Sequence, residues 1–295
     1  MLILGCGNFG GIGSAPELFG QGESEDEAFA IMDAAWEAGI RWFDTADAYG
    51  GGRSEQAIGR WIAATGNRPR LTTKTFNAMD AGHDHGLSGP RIERQFESSL
   101  DRLGVARVDL YLAHEFDPDT PLGETFESFE RLVESGRVGA YGVSNFSAAQ
   151  LEAALRVGRP RVVQNSYSLL ERGDEQALLP LCAERGIEYQ AFSPLAGGWL
   201  TGKYRRGEPY PPGSRMALRP ESYRHLEDDR IHTGLDRLRE RGDSATLALA
   251  WVLSNPDVSA IVVGPWRPEH LRPALDALDI DLSASERDEI TSFFA

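Results

Sequence analysis

Short apolar segments alternate with amphipathic helical windows along the whole chain, and this alternation constrains the fold more than any other feature. Eight segments have the length and apolar character of buried strands. They are residues 2–4, 41–43, 71–73, 108–113, 138–143, 161–163, 187–192 and 258–263. Strands that alternate with helices run parallel, and eight such units are enough to close a sheet on itself. The pattern predicts an α/β fold in which residues 1–295 form a single (β/α)8 TIM barrel domain.

Two of the loops that follow predicted strands are long. One spans residues 78–89 after strand three, and the other spans residues 203–224 after strand seven and is rich in proline and glycine. An extra helix is predicted at about residues 228–239, and a final C-terminal helix at about residues 283–293 would cover one face or end of the barrel. Several helices are preceded by a serine that can cap the first turn, among them Ser24, Ser54 and Ser147.

A glycine motif at the end of the first predicted strand suggests a different architecture. Gly5, Gly7 and Gly10 match the G-x-G-x-x-G pattern of doubly wound, dinucleotide-binding domains. In those domains the last glycine leads directly into a helix, and an acidic residue follows about 20 positions later. Here a further glycine-rich stretch precedes the helix near Ser24, and Asp44 lies too far along the chain. We interpret the motif as a flexible loop after the first barrel strand.

The charge balance excludes several classes of partner. There are 30 Lys and Arg residues against 45 Asp and Glu residues, so the formal net charge of −15 would repel nucleic acid and anionic membranes. No segment approaches the roughly 20 apolar residues of a membrane-spanning helix. The two cysteines, Cys6 and Cys182, are far apart and lack a metal-ligand spacing, which fits a cytoplasmic protein without structural zinc.

Polar residues follow successive predicted strands, at the end where a barrel enzyme carries its active site. Each residue alone has an ordinary explanation, such as a helix cap, a solvated loop residue or a core histidine. Their shared position at one face of the barrel predicts a functional site. In strand order they are Asp44, Tyr49, Lys74, His114, Ser144, Asn145 and Gln164.

The motifs around these residues resemble those of aldo-keto reductases over essentially the whole chain. They occur in family order at residues 4–11, 43–50, 73–74, 99–104, 108–114, 142–146, 191–195 and 200–203. The long loops are similar to those of the bacterial and plant NADP(H)-dependent branch. The resemblance implies a barrel that binds NADP(H) across its mouth. It further implies reduction of an aldehyde or ketone to the alcohol, the substrate being a small aldehyde, a sugar or a secondary-metabolite carbonyl.

The resemblance places the family's catalytic tetrad on Asp44, Tyr49, Lys74 and His114. Hydride transfer to a carbonyl carbon leaves negative charge on the oxygen, and Tyr49 would donate the proton as general acid. We expect the Lys74 ammonium to lower the pKa of Tyr49, and Asp44 to keep Lys74 ionised and oriented. His114 would donate a hydrogen bond to the developing oxyanion.

The resemblance also implies a cofactor site. Ser144, Asn145 and Gln164 would bind the nicotinamide carboxamide, and Phe192 would stack on the ring. The loop after strand seven would wrap the pyrophosphate. Residues 199–224 contain six basic residues and two acidic ones, whereas the chain as a whole is acidic. The other predicted cofactor-binding residues are Gly7, Asn8, Ser193, Leu195, Gly197, Gly198, Leu200, Gly202, Lys203, Gly264, Arg267 and His270.

The segment after strand eight departs from the family pattern. Relatives commonly carry Gln or Arg at the position of His270 and Asn at the position of Ala274. Arg267 can still pair with a 2′-phosphate through its guanidinium fork. We therefore predict NADP(H) as the cofactor, with NAD(H) as the alternative.

Phe76, Phe116 and Trp199 are predicted to form the walls of a pocket for a small carbonyl substrate, with the loop at residues 78–89 as a lid. His83 and His85 lie in that loop, but two histidines without a third ligand do not predict a metal site. The alternative function is that of an NADP(H)-binding regulatory protein with little turnover. Potassium-channel β-subunits share the implied fold and tetrad, and they are the example.

Overall fold

The computed structural model describes residues 1–80, 82 and 84–294. Within these residues, eight parallel strands form a closed barrel in sequence order, and β1 pairs with both β2 and β8. The strands are β1 (Leu2–Gly5), β2 (Trp42–Asp44), β3 (Arg70–Thr75), β4 (Val108–Ala113), β5 (Val138–Ser144), β6 (Val162–Ser166), β7 (Glu188–Phe192) and β8 (Ala260–Val263). All eight predicted strands and their closure into one barrel are confirmed, and the doubly wound alternative is excluded.

Helices surround the barrel, and the two predicted additional helices are present. In the described residues they are α1 (Glu25–Glu37), α2 (Arg53–Thr65), α3 (Gly89–Leu103), α4 (Leu122–Glu134), α5 (Ala148–Ala154), α6 (Leu178–Arg185), α7 (Arg215–Leu218), α8 (Asp229–Arg241), α9 (Ser244–Leu253), α10 (Arg272–Ala277) and α11 (Ala284–Ser292). The last of them lies against α9, where the indole nitrogen of Trp251 donates to Thr291 Oγ1 at 2.9 Å. No helix of the described chain is long and apolar enough to cross a bilayer.

The helix start signals have two different outcomes. Ser24 caps α1 in a reciprocal capping box with Glu27, as its position before three acidic residues predicts. Ser54 does not cap α2, because the helix begins one residue earlier, after Gly52 in the left-handed region at φ 88°. The Ser54 hydroxyl instead donates to the carbonyl oxygen of Cys6 at 2.8 Å. It therefore ties the loop after β1 to the start of α2, beside the barrel mouth.

Side chains fill the interior of the barrel. Ile3, Ala260 and Val262 form one buried cluster inside it, and Leu110, Leu112 and Val162 form another. A larger apolar layer lies between the strands and the helices. Because the interior is a packed core rather than a pore, a ligand has access only at the barrel ends.

Candidate active site

Four polar side chains meet at the C-terminal ends of β2, β3 and β4. Asp44 ends β2, Lys74 lies near the end of β3, His114 follows β4, and Tyr49 begins a 3-10 turn at Tyr49–Gly52. Lys74 Nζ forms a close ion pair with Asp44 Oδ1 and donates to the carbonyl oxygen of Thr45 at 2.9 Å. The structure brings the whole predicted tetrad together.

The hydroxyl of Tyr49 lies between two nitrogen atoms. It is 3.4 Å from Lys74 Nζ on one side and 3.4 Å from His114 Nε2 on the other. The rings of Tyr49 and His114 meet edge to face, with centroids 5.4 Å apart. The tyrosine oxygen therefore has two potential hydrogen-bond donors close to it.

Burial dominates the electrostatics of this group. Lys74 is 1% exposed and Asp44 is 3% exposed. Burial alone lowers the pKa of Lys74, but the charge of Asp44 and the contact with Tyr49 outweigh it, so the pKa lies above its usual value and the amine stays charged. Burial raises the pKa of Tyr49, and the Lys74 charge offsets this only in part. Lys74 lowers the pKa of Tyr49 as expected, but the net shift of this pKa is upward because the phenolate would lose its hydration.

The imidazole of His114 is neutral for a similar reason. Burial lowers its pKa well below the usual value, and the nearby charge of Lys74 lowers it further. A neutral imidazole carries one N–H and can donate one hydrogen bond. With a protonated phenol beside it, the site holds two donors for a single oxygen atom.

The residues predicted to bind the carboxamide are bonded to the tetrad. Gln164 Nε2 donates to Asp44 Oδ2 at 2.8 Å, and Asn145 Nδ2 donates to the carbonyl oxygen of His114 at 2.9 Å. The Ser144 hydroxyl donates to the backbone oxygen of Gln164 at 2.7 Å. Phe192 is half-buried and packs on the interior cluster at the top of the barrel. The two predicted groups of residues thus form one connected region.

Two non-glycine residues of this region have unfavourable backbone conformations. Asn145 has φ 58° and Ser193 has φ 52°, at the ends of β5 and β7. Left-handed conformations of such residues are uncommon, cost free energy and cluster at functional sites. Their presence at two strand ends supports a binding role for the mouth of the barrel.

The loop after β7 begins with a glycine-containing 3-10 turn, Ala196–Thr201. At Gly198 the backbone has φ 93°, a conformation that residues with a side chain rarely adopt, so the observed turn favours glycine. Leu195 is half-buried and Leu200 is buried, which leaves the backbone of this turn as its main binding surface. Gly197 and Gly202 also have positive φ angles.

Basic side chains from this loop and from the loop after β8 lie close together. Burial lowers the pKa of Lys203, and the nearby charge of Arg215 lowers it further. Burial likewise lowers the pKa of His270, to which the charges of Lys203 and Arg267 add. Arg206 and Arg219 pair with Asp229 and Glu221, respectively. In the described part of the chain, no carboxylate forms such a pair with the set Lys203, Arg215 and Arg267, which we call the basic cluster. Arg267 is an exposed member of the cluster, and Gly264, three residues before it, is also exposed.

The loop after β1 contacts this cluster directly. Arg215 donates to Asn8 Oδ1, and its guanidinium lies 5.7 Å from the ring centroid of Trp266. The predicted ligand Asn8 therefore anchors a basic residue, and Gly7 lies over the ring of Tyr49. The basic cluster, the glycine-containing turn Ala196–Thr201 and the half-buried ring of Trp266 together suit the binding of a phosphorylated dinucleotide.

Two of the three predicted pocket residues lie at the carboxyl ends of strands. Phe76 and Phe116 are half-buried after β3 and β4, and Phe116 packs edge to face on Phe146. The prediction for Trp199 is wrong, since its side chain is 0% exposed. The 3-10 turn directs the indole inward onto Tyr204, at 5.1 Å between ring centroids, and away from the mouth.

Within the described residues, no group of three or more His, Cys, Asp and Glu side chains could hold a metal ion. His83 lies outside those residues. His85 packs edge to face on Phe76, with ring centroids 5.9 Å apart.

Two residues of the site did not stand out in the sequence. Asn77 Nδ2 lies 3.3 Å from Nδ1 of His114, and Glu115 Oε1 accepts from Asn145 Nδ2 at 3.2 Å. Burial raises the pKa of Glu115 to about 6. Both follow strands directly, so the strand-end rule could have identified them. Arg215, by contrast, begins α7 and is one of the six basic residues counted between residues 199 and 224; only its contact with Asn8 carried no sequence signal.

Comparison with known proteins identifies the family. The model of the aldo/keto reductase family matches residues 2–294. The uncharacterized oxidoreductase YrpG of Bacillus subtilis is 39% identical over 285 residues, which cover 90% of this chain and 86% of that protein. A probable voltage-gated potassium channel subunit beta of Oryza sativa is 34% identical, with 89% of this chain and 85% of that protein covered.

A solved structure agrees with these matches. The glycerol dehydrogenase of Gluconobacter oxydans superposes with a TM-score of 0.85 at 27% identity, over 100% of this chain and 91% of that one. The chain belongs to the aldo/keto reductase family. Membership supports an oxidoreductase that acts on carbonyl groups with a nicotinamide cofactor.

Proposed function

We propose that this protein is an NADPH-dependent carbonyl reductase in which Tyr49 is the general acid. The observation that carries the proposal is the position of the Tyr49 hydroxyl, 3.4 Å from both Lys74 Nζ and His114 Nε2 at the barrel mouth. A phenol held against a buried ammonium and an imidazole is an arrangement suited to donating a proton to an oxygen atom.

A bound reduced nicotinamide supplies the hydride. Tyr49 transfers its proton to the carbonyl oxygen as charge develops there, and Lys74 stabilises the tyrosinate that remains. Asp44 keeps Lys74 charged in a buried position, where an unpaired ammonium would otherwise lose its proton. His114 donates a hydrogen bond to the same oxygen and orients the carbonyl.

The cofactor is held by two regions of the chain. Ser144, Asn145 and Gln164 hold the carboxamide, and Phe192 supports the ring. The basic cluster binds the phosphates, with Arg267 on the 2′-phosphate of NADPH because it is exposed and lies beside Lys203 and His270. NADH is the alternative cofactor if Arg267 does not reach that group.

The substrate is a small aldehyde or ketone. Phe76 and Phe116 offer apolar walls next to His114. Glu115, half-buried and bonded to Asn145, adds an acceptor that suits a hydroxylated carbonyl compound and opposes an anionic one. Sugars, small aldehydes and secondary-metabolite carbonyls remain the candidate substrates.

The test is an assay of NADPH oxidation with a panel of aldehydes, ketones, sugars and α-dicarbonyl compounds. We expect the wild-type protein to oxidise NADPH with at least one of these substrates, well above the rate of Tyr49→Phe. Equal rates for the two proteins with every substrate would contradict the proposal.

The second candidate is a cofactor-binding regulatory protein. The 34% identity to a probable potassium channel subunit beta favours it. Tight NADPH binding with no turnover above Tyr49→Phe would support this candidate, whereas turnover at rates typical of metabolic enzymes would oppose it.

A further inference from the structure

Asn77 contacts the ring nitrogen of His114 that points away from Tyr49. Its side-chain nitrogen lies 3.3 Å from Nδ1 of the imidazole, while Nε2 faces the Tyr49 hydroxyl. With its amide nitrogen on this side, Asn77 can only donate, and the contact then requires that Nδ1 accepts and carries no proton. The single proton of the neutral ring is then on Nε2.

We propose that Asn77 is a positioning residue that holds His114 in the tautomer with its proton on Nε2. The inference rests on the proposed function, because it assigns to this tautomer a role in carbonyl reduction. With Nε2–H as donor, the oxygen of Tyr49 accepts from His114 and Lys74. The Tyr49 proton is then free to point at the substrate oxygen, and Nε2–H, which donates to Tyr49 in the absence of substrate, is available to the same oxygen.

The other tautomer would remove both donors. With the proton on Nδ1, Nε2 would become an acceptor, and the nearest donor to it is the Tyr49 hydroxyl. The phenol would then donate to the imidazole instead of to the substrate. The imidazole would also have no proton facing the mouth. The identity of the side chain at position 77 therefore determines whether the general acid is available.

Asn77 is itself held in place by a buried arginine. Arg91, 2% exposed, donates to the backbone oxygen of Asn77 at 2.8 Å. The same guanidinium donates to Thr75 Oγ1 at 2.9 Å and to the carbonyl oxygen of Gly86 at 3.0 Å. These bonds join the end of β3 to the far side of the loop after it. The residue directly before the predicted lid is thus fixed where it contacts His114.

Nuclear magnetic resonance of protein labelled with ¹⁵N-histidine tests the proposal without cofactor or substrate. His114→Gln assigns the His114 signals among the six histidines. We expect Nδ1 of His114 to resonate as an unprotonated ring nitrogen and Nε2 as a protonated one. A protonated Nδ1 in the wild-type protein would overturn the proposal, whatever the activity of the protein.

The variant Asn77→Asp keeps the shape of the side chain but offers only acceptors to Nδ1. We expect the Nδ1 signal to become that of a protonated nitrogen, and kcat to fall on the order of 10²-fold while the Kd for NADPH is unchanged. The matched control is Asn67→Asp, at the opposite end of β3, which should change neither signal nor rate. Ring signals of Asn77→Asp identical to those of the wild type would overturn the proposal. Failure of the wild type to reduce any carbonyl would instead contradict the proposed function and leave the tautomer result standing.

Discussion

The tetrad and the basic cluster serve one site but are built differently. The tetrad lies on strand ends and on the turn that follows β2; Asp44, Lys74 and His114 are buried, Tyr49 is half-buried, and each contacts at least one other member. The basic cluster comes from the loops after β7 and β8, and Arg267 is exposed to solvent. Its internal order depends on contacts between loops that are distant in sequence, such as Arg215 with Asn8.

This difference separates chemistry from cofactor affinity. The tetrad side chains lie on the barrel strands or on the turn that follows one, and they pack at the end of the barrel. Substituting them should therefore change both the reaction rate and the free energy of unfolding. Groups on the loops contribute little to the core, so changing them should affect the affinity for the cofactor. The predictions below test this separation.

The largest effect is expected for Lys74→Met. The substitution leaves Asp44 buried without its cation, which should lower the free energy of unfolding by about 3–5 kcal/mol, and it removes the stabilisation of the tyrosinate. Urea denaturation and kcat measure the two losses. Lys203→Met makes the same change in the basic cluster and should weaken NADPH binding with little change in unfolding. A Lys74→Met protein as stable as the wild type would show that the ion pair is not part of the core.

The second largest effect is expected for Asp47 and concerns the free energy of unfolding. The backbone nitrogen of Asp47 donates to the carbonyl oxygen of Lys74 at 3.0 Å. The side chain of Asp47 is 0% exposed; among the described residues neither carboxyl oxygen accepts a hydrogen bond within 3.5 Å, and the nearby Thr75 side chain offsets the effect of burial only in part. Burial raises the pKa of Asp47 from 3.8 to about 7. Its contribution to stability is therefore fully present below pH 3.8 and is lost as the pH rises through about 7.

Asp47→Asn does not titrate and should escape this loss. Relative to the wild type, its free energy of unfolding should be higher at pH 8 than at pH 4, by roughly 3 kcal/mol. Denaturation at the two pH values measures the difference, with the exposed Asp101→Asn as control. A difference that does not change between pH 4 and pH 8 would mean that Asp47 is ionised in the folded protein.

A smaller and more selective effect is expected for Arg267→Ala. It should weaken NADPH binding by about 10–100-fold and NADH binding much less, since one charge-assisted contact with the 2′-phosphate is lost. Quenching of tryptophan fluorescence gives both constants. Arg206→Ala is the control, because Arg206 lies in the basic stretch but pairs with Asp229. Equal losses for both cofactors would show that Arg267 does not touch the 2′-phosphate.

What the sequence could predict follows the same division. All eight strands were predictable because each is a short apolar run with clear limits, and the tetrad followed because strand ends of a barrel converge. Trp199 was misplaced because the direction of a side chain in an irregular turn depends on φ angles that the sequence does not show. Arg215 was counted among the basic residues after strand seven, but its contact with Asn8 was not predictable for the same reason. Asn77 was missed because its role depends on one nitrogen of His114 and on a distant arginine.

The most direct test of the account is a single-turnover measurement that compares the wild type with Tyr49→Phe, alongside the Kd for NADPH of each. With NADPH saturating and a reducible aldehyde in excess, we predict that the rate falls by about 10²–10⁴-fold in Tyr49→Phe while the Kd is unchanged. That result would assign the proton transfer to the barrel residues and the affinity for NADPH to the loops. An equal rate in the two proteins, or a loss confined to NADPH binding, would contradict the assignment of Tyr49 as the proton donor.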